Sequence, residues 1–330
     1  MRVLVAGAAG YAGALAARLV WEHPRLELVR ATARADAGRR LDELYSEHPV
    51  PIELSALAPE ALDQVEAAIV AYPHGASAPV VAELRGRGAK VVDLSADFRL
   101  RDLSSYERWY GPHGAPALLE DAVYGLTELN REAIAGAELV ANPGCYPTAT
   151  VLALAPLAET GAISDVVVDA KSGVSGAGRS AEEEMRVVKD EEDTRPYKVT
   201  GHRHQPEIAQ ELHRLGVNGA AVTFVPHLLP FDQGELVSCY VRLERELSPD
   251  ELLSLYRERY RDERFVELAD SPPGVNGVRG TNLCRLHAVA AEGGRVLAFA
   301  AIDNLWKGAA SQAVQNLNLM LGLPEEEGIG

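Results

Sequence analysis

The chain has 330 residues, 47% hydrophobic and 24% charged, with 32 basic against 48 acidic side chains and a formal net charge of −16. That composition suits about two packed domains, excludes wholesale disorder, and argues against a nucleic-acid partner while leaving room for a local basic pocket. Three scattered cysteines without a CxxC pair exclude a disulfide framework and a cysteine-based structural zinc.

"RVLVA" at 2–6 predicts a strand at once, with none of the features of a secretory signal. No apolar run approaches the roughly 20 residues of a membrane helix. The expectation is a cytoplasmic protein with no membrane partner. The strand runs into Gly7, Gly10 and Gly13, spaced GxxGxxG, and then into a helical pattern. Strand, glycine loop and helix in that order let a backbone approach a pyrophosphate at the positive end of a helix. The predicted cofactor contacts of this loop are Gly7, Ala9, Gly10, Tyr11, Ala12 and Gly13. A second strand, "LELVRAT", ends at Thr32 and Arg34, where a binder of NAD often carries an acidic residue. A hydroxyl and a guanidinium there suit the 2′-phosphate of NADP; Asp36 nearby, or Arg34 as a plain surface charge, is the competing reading.

Strands at 67–73 and 90–97 enclose a helix, and a further strand spans 137–144. Strands alternating with helices predict an α/β, Rossmann-type doubly wound parallel sheet. "SADFRL" puts Arg99 just past a strand end, either as an anion contact or paired with Asp97 or Asp102.

Next comes "NPGCYPTA" at 142–149. Cys145 lies between a strand and a helix, and a helix N-terminus favours the thiolate. Its flanks are turn residues, whereas Cys239 and Cys284 lie in apolar alternating runs and read as core. Asn142, in the same turn, is a candidate substrate or phosphate contact.

After this point the pattern changes to alternating runs, which predict an α+β region with a mostly antiparallel sheet. Its loop "KSGVSGAGRS" at 171–180 is either a cover for a phosphate or nicotinamide, or a surface turn. The segment 181–195 is strongly charged and reads as a solvated helix or excursion. "TGHRHQPEI" offers His202 and His204 as acid–base candidates for a thiol reaction. No third ligand accompanies them, so no metal is expected. Ser248 predicts the N-cap of a helix with Glu251 closing a capping box. The last helix puts Ala313, Val314, Leu317 and Leu321 on one face.

"GAAGYAG", "SADFRL", "NPGCYPTA", "SGVSGAGR", "GHRHQPEI" and "AIDNLWKGAASQAVQNLN" follow one another across nearly the whole chain. In that order they resemble the N-acetyl-gamma-glutamyl-phosphate reductase family, within the wider group of dehydrogenases that reduce acyl phosphates. The resemblance implies an NADP-binding Rossmann domain (1–145 and 305–330) and a catalytic and dimerisation domain (146–304). It implies a homodimer or homotetramer acting on a small acyl phosphate in arginine biosynthesis. By the same resemblance Cys145 is the nucleophile and His202, not His204, the acid–base. Ser175, Gly176 and Asn304 fall at the nicotinamide, and Arg99, Ser172 and Arg179 in the substrate and phosphate region. The family commonly carries serine in place of Ala9. Competing readings are a Cys–His hydrolase, a nucleotide-sensing protein without catalysis, and a reductase of aspartyl or carrier-bound aminoadipyl phosphate.

Overall fold

The computed structural model describes residues 1–58, 62, 64–179 and 182–330. They form two compact units, Met1–Gly144 with Ala309–Gly330, and Cys145–Gly308.

In the first unit the elements run β1 (Arg2–Ala6), α1 (Tyr11–Glu22), β2 (Glu27–Thr32), α2 (Leu41–Leu44), β3 (Ala67–Val70), α3 (Ala78–Gly86), β4 (Lys90–Asp93), α4 (Leu103–Tyr110), β5 (Ala122–Tyr124), α5 (Thr127–Ala135) and β6 (Leu139–Ala141). The six strands make one parallel sheet in the order β2-β1-β3-β4-β6-β5. Strands β1, β3 and β4 are apolar runs buried on both faces, as a parallel sheet covered by helices requires. The expected doubly wound sheet is therefore present. It gains β5, an edge strand of three residues too short to show a period in the sequence.

In the second unit the elements are α6 (Cys145–Ala158), β7 (Ile163–Gly173), α7 (Glu182–Asp190), β8 (Arg195–Pro196), α8 (His204–Arg214), β9 (Ala221–Leu229), β10 (Glu235–Leu243), α9 (Pro249–Arg259), β11 (Val266–Leu268), β12 (Cys284–Ala291) and β13 (Arg295–Ile302). Their sheet has the order β11-β12-β13-β10-β7-β9-β8. It is mostly antiparallel; β7 pairs β9, and β11 pairs β12, in parallel. Helix α9 starts at the Ser248–Glu251 capping box that the sequence predicts. Helix α10 (Ser311–Met320) follows a π-helical turn at Trp306–Ala310 and belongs to the first unit.

Helix α6 organises the second unit. Every residue from Tyr146 to Ala158 is buried, which fits a helix apolar on all sides. It carries Pro156, which cannot donate to the Leu152 carbonyl. The Tyr260 hydroxyl donates to that carbonyl instead, and Tyr256 donates to the next one, at Ala153, at 2.5 Å. The alternation along β10 decides what meets α6: Glu235, Val237, Cys239 and Val241 are buried on one parity, while Tyr240 and Arg242 are exposed on the other.

Of the charged segment expected at 181–195, Ala181 lies outside the described residues, as does Ser180 of the preceding loop. The rest starts with α7. It is more than a solvated helix, because Val188 is buried against Val174 and Leu228.

Candidate active site

Three adjacent strands end at one place in the second unit. Ser172 of β7, Glu235 of β10 and Ile302 of β13 stand in register side by side. Beyond them follow Gly173, Gly234 and the pair Asp303–Asn304. Cys145 opens α6, which packs on β10 and β13. Its residue is only partly buried, unlike Cys239 and Cys284. Burial pushes the Cys239 thiol up to about 12, so it is inert at neutral pH. Backbone N–H groups in the first turn of α6 have no partners within the helix and surround the Cys145 position. Gly308 completes the packing: a Cβ there would stand 2.7 Å from the Cys145 Cβ.

At the same end of the sheet lies a small polar loop. The short helical turn Val174–Ala177 follows β7. The Ser175 hydroxyl donates to the Asp232 carbonyl at 2.6 Å and accepts from Asn304 Nδ2 at 2.9 Å. Asn304 Oδ1 accepts from the Gly234 amide at 2.8 Å. A Cβ on Gly176 would meet Ser172 Oγ at 2.9 Å and Asn304 Nδ2 at 3.5 Å. The structure thus brings Ser172, Ser175, Gly176 and Asn304 into one cluster. Arg179, half-buried, follows three residues beyond Gly176. Asp303 fixes the turn after β13, its carboxylate accepting from the amides of Gly280, Leu305 and Trp306.

The histidines form a second group. His202 is buried, and burial together with Lys198 and Arg203 lowers its pKa to about 4. It is neutral at neutral pH. Its Nδ1 accepts from the His204 amide at 3.1 Å, which puts the ring proton on Nε2. That proton starts a relay: Nε2 to the Tyr197 hydroxyl at 3.3 Å, Tyr197 to Tyr146 at 3.5 Å, Tyr146 to the His227 carbonyl at 3.2 Å. Tyr146 and Tyr197 both also feel the charge of Cys145. Tyr146 is the residue after Cys145, so these hydroxyls join the helix that carries the thiol to His202. His204 stacks edge-on to Tyr146 and His202, at 5.8 and 4.9 Å between ring centres.

Three groups here escape a reading of the sequence. Tyr146 and Tyr197 sit on segments that look like a turn and a charged stretch. Glu235 did leave a signal: a carboxylate on the apolar parity of an alternating strand.

In the first unit, the glycine loop leaves β1 with Gly7 at φ +86°, where a Cβ would press on the Ala71 carbonyl at 2.6 Å. A Cβ on Gly13 would collide with the Gly7 carbonyl. A Cβ on Gly10 would meet only the Gly7 carbonyl, at an ordinary 3.8 Å. This is a backbone cradle at the start of α1, of the kind that receives a pyrophosphate. Ala9 uses its carbonyl to accept from Tyr45 at 2.7 Å, and Tyr11 lies edge-on to the same tyrosine. Thr32 is buried, with its hydroxyl bonded to that of Tyr72 at 2.9 Å. Arg34 is exposed, lies 5.2 Å above the Tyr72 ring and, among the described residues, pairs with no carboxylate. Asp36 instead accepts from Arg39 at 3.1 Å. Arg99 is buried and donates to the carbonyls of Asn142 and Leu94, at 2.8 and 2.7 Å. Asp97 and Asp102 are otherwise engaged, one by Gly75, Ala78 and Tyr106, the other as the cap of α4. The Asn142 side chain bonds Asn316 and the Ala309 carbonyl. Arg99 and Asn142 thereby hold the turn that leads into Cys145.

A parallel dinucleotide-type sheet, joined to a unit that places a cysteine at a helix start among serine, asparagine and histidine, defines the class: semialdehyde dehydrogenases, oxidoreductases with an NAD(P)-binding domain. Family models agree, matching the semialdehyde dehydrogenase NAD-binding domain over residues 2–137 and its dimerisation domain over residues 145–304. The chain is similar to the aspartate semialdehyde dehydrogenase II structure from Vibrio cholerae complexed with ASA (TM-score 0.76, 18% identity, 97% of this chain and 98% of that one). It is also similar to the Candida albicans aspartate semialdehyde dehydrogenase with NADP (TM-score 0.66, 15% identity, 97% and 98%). At these identities they speak to the fold. Closer relatives carry one name, N-acetyl-gamma-glutamyl-phosphate reductase: in Halorhodospira halophila, 47% identical with 100% of this chain and 98% of the relative covered, and in Moorella thermoacetica, 47% with 97% and 95%. The chain belongs to the N-acetyl-gamma-glutamyl-phosphate reductase family.

Proposed function

We propose that this protein reduces N-acetyl-L-glutamyl 5-phosphate to N-acetyl-L-glutamate 5-semialdehyde, releasing phosphate, with NADPH, in the cytoplasm and in the service of arginine biosynthesis. The observation that carries this reading is Cys145 on the first turn of α6, beside the Ser172–Asn304 cluster. A thiolate there attacks the acyl carbon, the phosphate departs, and the acyl group remains on sulfur as a thioester. Amides of the first turn hold the oxyanion that forms during the attack. His202 is the acid–base that exchanges the proton these steps need, with Tyr197 and Tyr146 holding its ring in place.

The cradle of the first unit fits the cofactor. Gly7 and Gly13 let the loop pack its backbone tightly at the start of α1, which suits a pyrophosphate, and Arg34 stands exposed for a 2′-phosphate. NADPH, when bound, supplies hydride to the carbon that Cys145 holds. Ser175 and Asn304, which fix each other, would orient its nicotinamide end.

We further propose a homodimer or homotetramer joined through the second unit's sheet. Val167, Tyr240, Leu297 and Val289 lie in register across four strands, and Tyr240 and Val289 are 46% and 41% exposed. Such a row supports an interface. No helix among the described residues is long and apolar enough to cross a membrane.

The deciding measurement is the reverse reaction with NADP, phosphate and a panel of semialdehydes. Preference for N-acetylglutamate semialdehyde is expected. Preference for aspartate semialdehyde or an aminoadipate semialdehyde would replace the substrate, and no turnover with any of them would remove the reductase reading.

A further inference from the structure

Glu235 is fully buried in the core of the second unit. It stands on the inward parity of β10, below the first turn of α6, with Ser172 and Ile302 on either side. Both carboxyl oxygens are buried without a hydrogen-bond partner, and the Cys145 side chain at the start of α6 is the neighbour that most favours their charged form. A buried carboxyl with no donor costs stability, so its place beside a reactive sulfur calls for an explanation that packing does not give. From the elements packed around it, the titratable groups that act with it are Cys145 and Tyr146 of α6, Tyr197 before α8, and Asp303 after β13. Burial, with Asp303 adding to it, raises its pKa to about 8, close to that of a thiol. The two groups can therefore exchange a proton at little cost.

We propose that Glu235 is a further catalytic residue, the proton acceptor and store for the Cys145 thiol. The S–H bond breaks and an O–H bond forms on Glu235. The sulfur electron pair then makes the C–S bond as the carbon–oxygen bond to phosphate breaks. When the C–S bond later opens, its electron pair returns to sulfur and Glu235 gives the proton back. Over a turnover Glu235 gains and loses one proton, and the phosphate leaves as an anion with the bonding electron pair on its oxygen. This assignment rests on the reading of Cys145 as the nucleophile.

The test is alkylation of Cys145 by iodoacetamide, which uses the same thiol and needs no substrate or cofactor. Rates are measured across the acid-to-alkaline range for the wild type, Glu235→Gln and Glu235→Asp. The wild type should show two linked ionisations. Glu235→Gln should show one, with alkylation at neutral pH slowed at least about tenfold and kcat/KM lowered about a hundredfold. Its NADP-induced thermal shift should be unchanged. Glu235→Asp should keep two ionisations. Equal or faster alkylation of Glu235→Gln at neutral pH would overturn the proposal, because removing a merely repulsive charge eases thiol ionisation. Should Glu235→Gln not fold, a single ionisation in the wild type would overturn it equally. Failure of the substrate reading would show elsewhere, as no turnover with any semialdehyde.

Discussion

Burial separates the three cysteines more sharply than sequence does. Cys239 and Cys284 are 1% and 0% exposed, whereas Cys145 is only partly buried. Cys145→Ser should lower turnover at least a thousandfold, the order of loss for a removed nucleophile, while NADP still raises the melting temperature. Near-normal turnover would end its role. The two histidines differ in placement, since His202 heads the tyrosine relay. His202→Asn should lower kcat about a hundredfold or more and His204→Asn less; steady-state kinetics on both decide, and the reverse order would move the acid to His204. Glu235 makes a claim about stability too. Its folded pKa, about 8, lies above the ordinary 4.5. In that window the folded state holds more protons than the unfolded one. The stability tied to its protonated form is full below about 4.5 and is lost as pH rises through about 8. Glu235→Gln removes this dependence, so its stability relative to the wild type should climb over that window, by on the order of a few kcal/mol. Denaturant unfolding at several pH values measures it, and a flat difference would contradict the assignment.

At the scale of elements, α6 shows how one helix serves both packing and chemistry. Its first turn must stay reachable, while the thirteen residues after Cys145 are buried. Pro156 breaks its hydrogen bonding near the far end, and the Tyr260 hydroxyl replaces the missing donor at Leu152 while Tyr256 donates to the next carbonyl. Tyr260→Phe strands a buried carbonyl and should cost about 1–3 kcal/mol, read from the midpoint of denaturant unfolding. A change below a few tenths of a kcal/mol would mean that water replaces the hydroxyl. The glycine loop works by close approach: Gly13 lets α1 start directly against the Gly7 carbonyl. The glycine loop and the place of Cys145 were legible in the sequence because glycine spacing and a cysteine among turn residues are local signals. Strand β5 and the relay of tyrosines were not, since a three-residue strand has no period and the relay joins residues 146, 197, 202 and 227.

For the whole molecule, a net charge of −16 coexists with an apolar row on β7, β10, β13 and β12. Tyr240 is its most exposed member. Tyr240→Glu should weaken self-association at least tenfold, about 1.4 kcal/mol, in sedimentation experiments, with each protomer still folded. An unchanged oligomer would place the interface on another surface.

The sequence by itself determined the alternation of strands and helices, the glycine cradle and the cysteine set among turn residues, because periodicity, backbone freedom and turn chemistry are written within a dozen residues. It also carried the family, through motifs kept in order along the chain. Only the tertiary structure decided what surrounds the thiol. Strand register sets Ser172, Glu235 and Ile302 abreast, and helix packing brings Cys145 to that end of the sheet. The same folding turns Arg99 and Asn142 toward backbone carbonyls and neighbouring amides. Such pairings join residues far apart in the chain, and burial, which sets the proton affinities of Glu235 and His202, exists only once the chain has packed.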